Sequence, residues 1–230
     1  MLSQTSLEHS PLEPLVRRAG ATMTARHGWW VAAHYGSAPG ELALCRTAVG
    51  LADRSDLGKL ELRGEPGAVE QLVGQLTGGQ IQPGDALRAA GAWWCSVSPE
   101  HVLVLCGADA AAPVAAAVGA AARWTPGASV TDATRDLAAV GLLGPSTRAV
   151  LAALWSSDPP LEAFDAPELA VTMLAAVPVM VLLATADRAV IVTDRARAAE
   201  LWTDLERAGQ ELGMGHVGCE ALGRVALSGG

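Results

Sequence analysis

Short apolar runs alternate with turn signals along the chain, and the period of each run predicts its secondary structure. Residues 59–63 read K-L-E-L-R, an alternation that predicts a strand with its leucines facing inward. Pro66 begins a segment with valines and leucines at helical spacing, and Gly78-Gly79 predicts where that helix ends. Another helix is predicted from Pro39. Asp109 is expected to cap an alanine-rich helix.

The remaining apolar runs are rich in β-branched residues and predict mainly strands. These strands are expected at 92–97, 102–106, 129–134, 137–143, 169–174, 177–184 and 189–193. Gly144-Pro145 predicts a helix start, and Asp194 is expected to cap an amphipathic helix that ends before Gly213. The order of elements lacks a regular βαβ alternation. It therefore predicts an α+β fold, with antiparallel sheets flanked by helices.

The segment 169–186 raises the question of a membrane span, because it has about 18 residues without a charge. The mean hydropathy of the chain is also high, at +0.28. However, Pro178 lies near the middle of the segment among β-branched residues, and Asp187-Arg188 ends it. Two buried strands around a proline turn are the better prediction.

Composition narrows the class of protein. A chain of 230 residues forms one domain or two small ones, and 50% apolar with 17% charged residues excludes a disordered protein. The formal charge is −8 and the arginines are dispersed, which argues against nucleic-acid binding. The first residues resemble no signal peptide, and the four cysteines are widely spaced. We therefore expect a cytoplasmic protein with reduced thiols, no metal site and no membrane association.

No reaction follows from the residue chemistry alone. Residues 213–218 match G-x-G-x-x-G, but they follow a helix, so a glycine cap with a turn is the preferred interpretation. Trp93-Trp94-Cys95 offers indole faces for stacking a flat ligand, although adjacent strand residues point to opposite faces. Asp53, Asp56 and Asp132 are candidate general bases, although aspartates beside turns commonly bond backbone amides.

A longer pattern carries more information. Gly28-Trp29, Tyr35, Glu41 and Arg46 lead into V-G-L-A-D-R-S-D-L-G-K at 49–59. Asp132-Ala-Thr134, Leu142 to Pro145, Leu201-Trp202 and the glycine-bounded end at 218–230 follow in order. Together these blocks resemble the glycine-cleavage T-protein family over about residues 20 to 230. That family comprises tetrahydrofolate-dependent aminomethyltransferases and relatives in dimethylglycine and sarcosine oxidation.

The resemblance implies a folate-binding body of two mixed subdomains around a central channel, with tetrahydrofolate as the cofactor. It suggests an N-terminal extension at 1–20 and a body at 21–230. We expect one subdomain at 21–64 plus 128–165 and the other at 65–127 plus 166–230. The C-terminal barrel domain of longer relatives is expected to be absent.

The departures from the family pattern concern its acidic residues. Trp93-Trp94-Cys95 stands where the family has an Asp-Asp pair, and Cys106-Gly107 replaces its Asn-Ala. The turn whose glutamate is expected to hold the pterin is shortened to residues 185–189, which leaves Asp187 as a candidate substitute. Asp56 stands in place of the histidine of S-H-M-G. The candidate catalytic residues are Asp56 and Asp53; the candidate cofactor-binding residues are Trp93, Trp94, Cys95, Cys106, Asp187 and Tyr35.

Three functional hypotheses follow from this resemblance and its gaps. The first is a folate-binding-type one-carbon protein with eroded catalytic carboxylates, unlike an ordinary glycine-cleavage T-protein; if active, it would be a tetrahydrofolate-dependent transferase. The alternative is a non-catalytic accessory subunit of an amine (sarcosine-type) oxidase or demethylase complex, like the sarcosine oxidase γ subunit. The third is a pocket repurposed for another flat ligand. The expected partner is a flavoprotein oxidase subunit or a second copy of the chain.

Overall fold

The computed structural model describes residues 7–227, and the side chains of residues 7–224. Its strands are Glu8–His9 (β1), Thr22–Arg26 (β2), Trp29–His34 (β3), Val49–Asp53 (β4), Gly58–Gly64 (β5), Ala86–Ala89 (β6), Ala92–Ser98 (β7), His101–Cys106 (β8), Ala128–Asp132 (β9), Leu137–Leu143 (β10), Glu168–Leu174 (β11), Val177–Thr185 (β12), Arg188–Asp194 (β13) and Met214–His216 (β14). Its α-helices are Glu13–Arg18 (α1), Ala38–Thr47 (α2), Pro66–Thr77 (α3), Ala111–Ala122 (α4), Thr147–Leu154 (α5), Ala198–Gly209 (α6) and Cys219–Leu227 (α7).

Three sheets organise these strands. The largest has six strands in the order β11-β12-β13-β10-β4-β14, and a second has five in the order β6-β7-β8-β5-β9. A small sheet, β1-β3-β2, lies at the N-terminal side. Pairing is antiparallel except for β1 with β3 and β14 with β4. The predicted α+β class with antiparallel sheets and flanking helices is confirmed.

The two large sheets pack face to face, and the strand period sets which residues meet between them. In β8, Leu103 and Leu105 belong to the core between the sheets, whereas Val102, Val104 and Cys106 face the helices α3 and α4. In β12, Leu182 faces the five-stranded sheet and its neighbours pack toward α5 and α6. The sheets are therefore buried on both faces, which is why their strands read as continuous apolar runs.

The helix boundaries follow from local signals in the sequence. Pro66 occupies the first turn of α3, and Gly78 ends it in a left-handed conformation with φ of 73°. The Asp194 carboxylate accepts a hydrogen bond from Ala196 N at 2.8 Å and caps the 3-10 turn that leads into α6. These predicted ends are confirmed.

Two local predictions are wrong. Asp109 is not the cap of α4, because the residue before the helix is Ala110, which makes no side-chain hydrogen bond. Ala110 N donates to Gly107 O at 2.9 Å, so a backbone turn leads into the helix instead. The proline turn between β11 and β12 is in fact Ala175-Ala176, where Ala175 has φ of 50°. Pro178 lies inside β12, opposite Met173 and near the strand start, a position that strands tolerate.

The segment 169–186 forms these two strands, as predicted. Within residues 7–227, no helix combines the length and apolar character needed to cross a bilayer. β13 pairs with β10, which in turn pairs with β4, so the strands of 168–194 belong to the six-stranded sheet. An isolated bridge between Glu168 and Asp85 links this sheet to the start of β6. Residues 8–18 are also integrated into the fold, since Leu12 and Val16 are fully buried in the core beside the six-stranded sheet.

Candidate functional site

The main cavity lies where the core between the two large sheets opens. It measures about 570 Å³, within the range of small-molecule sites. Leu105 and Trp93 contribute its wall from the five-stranded sheet, and Leu182 and Val190 from the six-stranded sheet. All four also belong to or pack against the apolar core between the sheets. The cavity is thus a continuation of that core, with a preformed apolar surface.

The charged groups around this cavity are all cationic. Arg54 from the loop after β4, Arg88 from β6 and Arg188 from β13 line it, and no aspartate or glutamate does so among the described residues. The Arg88 guanidinium lies 5.6 Å from the centre of the Trp93 ring, its register partner across the β6–β7 pair. A cation–π contact of this kind holds the indole and the guanidinium together at the wall.

A second, smaller cavity of about 220 Å³ adjoins the first and contains the acidic groups. Asp53, Asp56 and Asp109 line it, and the two cavities share Arg54, Gly107 and Leu222. Arg54 Nε lies 3.3 Å from Asp56 Oδ1, so an ion pair stands at the boundary between the cavities. The candidate catalytic aspartates therefore face the smaller cavity, and the apolar cavity lies beyond Arg54.

Asp53 lines the smaller cavity and also has a structural role in its own loop. Its Oδ1 accepts a hydrogen bond from Ser55 N at 3.0 Å, which shapes the loop into β5. Burial raises the pKa of Asp53, although hydrogen bonds from Ser10 and Ser55 oppose that shift.

Lys59 lies fully buried beneath this loop. Its Nζ donates to Leu57 O at 2.7 Å and to Ser55 O at 3.0 Å. Burial lowers the pKa of Lys59 to about 8, against the opposing effect of Asp56, Asp53 and Asp132. The lysine thus organises the loop that carries the aspartates by bonding two of its carbonyl groups.

The lysine predicts a pH dependence of stability. Its pKa is about 8 in the folded protein, against the ordinary value of 10.5 for a hydrated lysine, so between these pH values the unfolded chain holds more protons. The free energy of unfolding of the wild type should therefore rise relative to Lys59→Met from pH 8 to 10.5, by up to about 3 kcal/mol. Urea titrations of both proteins across this range measure the difference. Raised pKa values of Cys45, Cys95 and Tyr35 give the opposite slope, but they cancel between the two proteins. The pKa of Cys106 is also raised, and loss of the Lys59 charge, which lowers it, adds to the expected difference.

Arg63→Met is the matched control, because Arg63 is a cation of the same strand that is half-exposed rather than buried. Its difference from the wild type should stay constant with pH. Parallel curves for wild type and Lys59→Met would contradict a depressed lysine pKa.

The structure separates the tryptophans and cysteines that the sequence places together. Trp93 lines the main cavity, whereas Trp94 is buried under α3 and α4 and donates from Nε1 to Ala89 O at 3.1 Å. Cys95 packs in the core between the sheets, where burial raises its pKa to about 12. Cys106 reaches the cavity wall, and burial raises its pKa as well. Of this group, Trp93 is placed to contact a ligand, whereas Cys106 is 3% exposed and packs in the core beneath α3 and α4.

Asp187 and Tyr35 do not line the main cavity, although Asp187 lines an adjoining pocket that shares Leu143 and Arg188 with it. Asp187 is in the turn after β12, where its carboxylate accepts a 2.5 Å hydrogen bond from the Thr185 hydroxyl. Its backbone carbonyl accepts from Gly144 N at 2.8 Å, so the residue is tied into the turn. The ring of Tyr35 packs 5.1 Å from that of His216, and burial raises the pKa of Tyr35. Neither residue is among those that line the two cavities described above.

The G-x-G-x-x-G segment serves packing, as its position after a helix predicts. Gly213 has φ of 72° and ends the 3-10 turn that follows α6. Gly218 lies against the backbone of Ala33, and its N–H donates to the buried Glu41 carboxylate at 2.8 Å. The other Glu41 oxygen accepts from Tyr35 N at 2.6 Å. This carboxylate joins β3, α2 and the start of α7.

Sequence reasoning missed the three arginines of the main cavity. Arg88 and Arg188 come from different sheets and are 100 positions apart, so no spacing rule connects them. The weak signal available was that Arg88 lies two residues before the hairpin turn at Ala90-Gly91, which makes Trp93 its cross-strand partner. For Arg188, the signal in the sequence was its position within the shortened turn at residues 185–189.

By its fold, the protein is an α+β protein in which two stacked sheets surround a cavity large enough for a small-molecule ligand. The chain matches the family described as GCVT N-terminal domain over residues 12–228, and it belongs to that family. The resemblance predicted from the motifs is thereby confirmed.

Similar proteins extend this result. The aminomethyltransferases of Mycobacterium bovis and Mycobacterium tuberculosis are 36% identical over 163 residues, which is 64% of this chain and 43% of theirs. That of Streptomyces coelicolor is 39% identical over 87 residues, which is 37% of this chain and 23% of the relative. The chain thus spans less than half the length of these curated relatives.

Two solved structures share the fold. Glycine cleavage system aminomethyltransferase T from Bartonella henselae superposes with a TM-score of 0.78 and 19% identity, over 94% of this chain and 61% of that chain. A chain of heterotetrameric sarcosine oxidase from Corynebacterium sp. U-96 superposes with a TM-score of 0.68 and 19% identity, over 91% of this chain and 98% of that chain. The two-sheet body is common to both.

Proposed function

We propose that this chain is an aminomethyltransferase-like, folate-binding-type body that has kept its cavity and has lost the carboxylates of ordinary aminomethyl transfer. The observation that carries the proposal is the lining of the main cavity, which holds three arginines and, among the described residues, no acidic side chain. The fold and the family support a one-carbon ancestry. The site chemistry supports a changed activity.

Tetrahydrofolate is the cofactor that the family implies, and its pterin does not fit this lining. The amino-pyrimidine edge of a pterin presents paired hydrogen-bond donors, which need a carboxylate acceptor. Arg54, Arg88 and Arg188 are themselves donors only, so the pterin donors facing them would be buried unpaired, at about 1–3 kcal/mol each. Asp187 offers no substitute, because it belongs to the turn at Thr185.

The acid–base groups are also poorly placed for such a transfer. Asp56 is paired with Arg54, and Asp53 bonds the backbone of its own loop. Both face the smaller cavity, so neither lies at the apolar wall formed by Trp93 and Val190. Loss of a positioned general acid or base typically costs a factor of about 10² to 10⁴ in rate.

Aminomethyl transfer to tetrahydrofolate is therefore expected to be at least about 10²-fold slower than for a glycine-cleavage T-protein assayed alongside. The assay follows product formation from an aminomethylated lipoyl carrier. Tetrahydrofolate titrated to millimolar concentration should give no saturable quench of tryptophan fluorescence. Transfer at the rate of the T-protein would overturn the proposal.

The variants Arg188→Glu and Arg188→Gln test separately whether the lack of a carboxylate acceptor weakens tetrahydrofolate binding. A carboxylate at this wall supplies the missing acceptor, so Arg188→Glu should bind tetrahydrofolate more tightly than Arg188→Gln. Equal affinities would contradict the assignment of weak binding to the missing acid.

An accessory role in an amine oxidase complex is the second proposal. It is supported by the sarcosine oxidase chain, of which this chain covers 98%, so the two bodies are of closely similar length. Co-expression with a flavoprotein oxidase subunit should give a complex of defined mass in light scattering. If the chain stays monomeric in the presence of that subunit, the accessory role is contradicted. The cytoplasmic location of the chain remains a prediction.

A further inference from the structure

The arginines of the main cavity raise the question of what ligand they would recognise. The chain has 24 acidic and 16 basic residues, so a cavity lined by three cations and no acid runs against its overall composition. Such a lining creates a local positive potential inside a protein of net negative charge.

Two of these guanidinium groups form no ion pair with an acidic side chain of the described residues. Arg54 is paired with Asp56, but neither Arg88 nor Arg188 forms an ion pair with any side chain of residues 7–224. Arg188 is only partly exposed, beside the apolar side chains of Leu143 and Val190. A guanidinium in apolar surroundings binds carboxylates and phosphates strongly, because its planar donors bond two oxygens at once.

The walls of the cavity define the rest of the ligand. The Trp93 indole carries Arg88 over its ring and faces the leucines and valines between the sheets. Aromatic and aliphatic walls favour a flat, apolar body. The volume of about 570 Å³ accommodates one or two rings.

We propose that the main cavity binds a planar aromatic anion, whose carboxylate or phosphate is held by Arg88 and Arg188 and whose ring packs against Trp93. This inference rests on the proposed function, since it identifies the ligand class of the same cavity. It differs from a pterin site in the sign of the charge that the protein supplies. Arg54 contributes less, because Asp56 already neutralises it.

Isothermal titration with three matched probes tests this inference. The probes are 2-naphthoate, 2-naphthyl phosphate and 2-naphthalenemethanol, which share a ring system and differ in charge. Both anions should bind at least about tenfold more tightly than the neutral alcohol. The tighter of the two anions identifies the preferred group as a carboxylate or a phosphate.

Single variants locate the binding. Arg88→Gln and Arg188→Gln should each weaken binding of the tighter anion by about 10- to 100-fold, with little effect on the neutral probe. Arg123→Gln is the matched control, because Arg123 is exposed at the end of α4 and does not line the cavity. If Arg188→Gln fails to fold, the exposed Arg88 still provides the test.

The outcomes separate this inference from the proposed function. Equal affinity for the anions and the alcohol, or anion binding that ignores both arginine variants, overturns the recognition of charge and leaves a cavity that binds rings. Failure of all three probes to bind overturns the binding role of the cavity itself. Aminomethyl transfer at the T-protein rate overturns the proposed function whatever the probes do.

Discussion

Replacing Gly218 with alanine is expected to lower the free energy of unfolding by about 3–5 kcal/mol. An added Cβ would overlap the Ala33 carbonyl and come within 2.6 Å of His34 N, so backbone must move. That movement also pulls Gly218 N away from the buried Glu41 carboxylate, which it bonds at 2.8 Å. The loss therefore combines backbone overlap with a weakened charge-assisted hydrogen bond.

Urea unfolding followed by circular dichroism measures this change. Gly119→Ala is the matched control, because the residue is inside α4 and, among the described residues, no atom outside the backbone of that helix lies within 4 Å of its added Cβ. Alanine should stabilise that helix by about 0.5–1 kcal/mol. Equal effects of the two substitutions would contradict the close approach of β3 and α7 at Gly218.

The second large effect is expected at Trp94. Its side chain is 1% exposed in the core between the five-stranded sheet and its helices, so Trp94→Ala should cost about 3–5 kcal/mol. Trp93→Ala should cost less, because that indole lines an open cavity. Trp93→Ala should instead weaken the binding of naphthyl probes, since it removes the ring on which they pack.

Thermal unfolding and probe titration on the same samples separate these roles. Trp124→Ala controls for the general effect of losing an indole, because Trp124 is 84% exposed and should change stability by less than about 0.5 kcal/mol. A Trp93→Ala protein that unfolds as easily as Trp94→Ala would show that both indoles are core residues. Unchanged probe binding would remove Trp93 from the site.

Much of the secondary structure follows from the sequence because its signals are local. Pro66 and Gly78 bound α3, and the Asp194 side chain caps the turn into α6, each through contacts within a few residues. The strand period predicts that Trp93 and Trp94 point to opposite faces of β7. The hairpin of β2 and β3 was missed, although His27-Gly28 has the positive φ values of a tight turn, 48° and 82°.

The candidate site could be predicted only in part. Motif order identified the family and drew attention to Asp53, Asp56 and Trp93, which the structure places at two adjoining cavities. It also suggested Tyr35 and Asp187, which line neither of these two cavities. A linear pattern shows that a residue type is present, but it does not show which wall the side chain reaches.

The sequence by itself determined most of the elements, the α+β class and the family, because these depend on residue identity and short spacing. Only the tertiary structure decided that Arg88 and Arg188 line one cavity from two different sheets, and that Arg54 lies between an acidic cavity and an apolar one. The physical reason is sheet pairing: it joins residues 100 positions apart in a register set by the burial of whole faces.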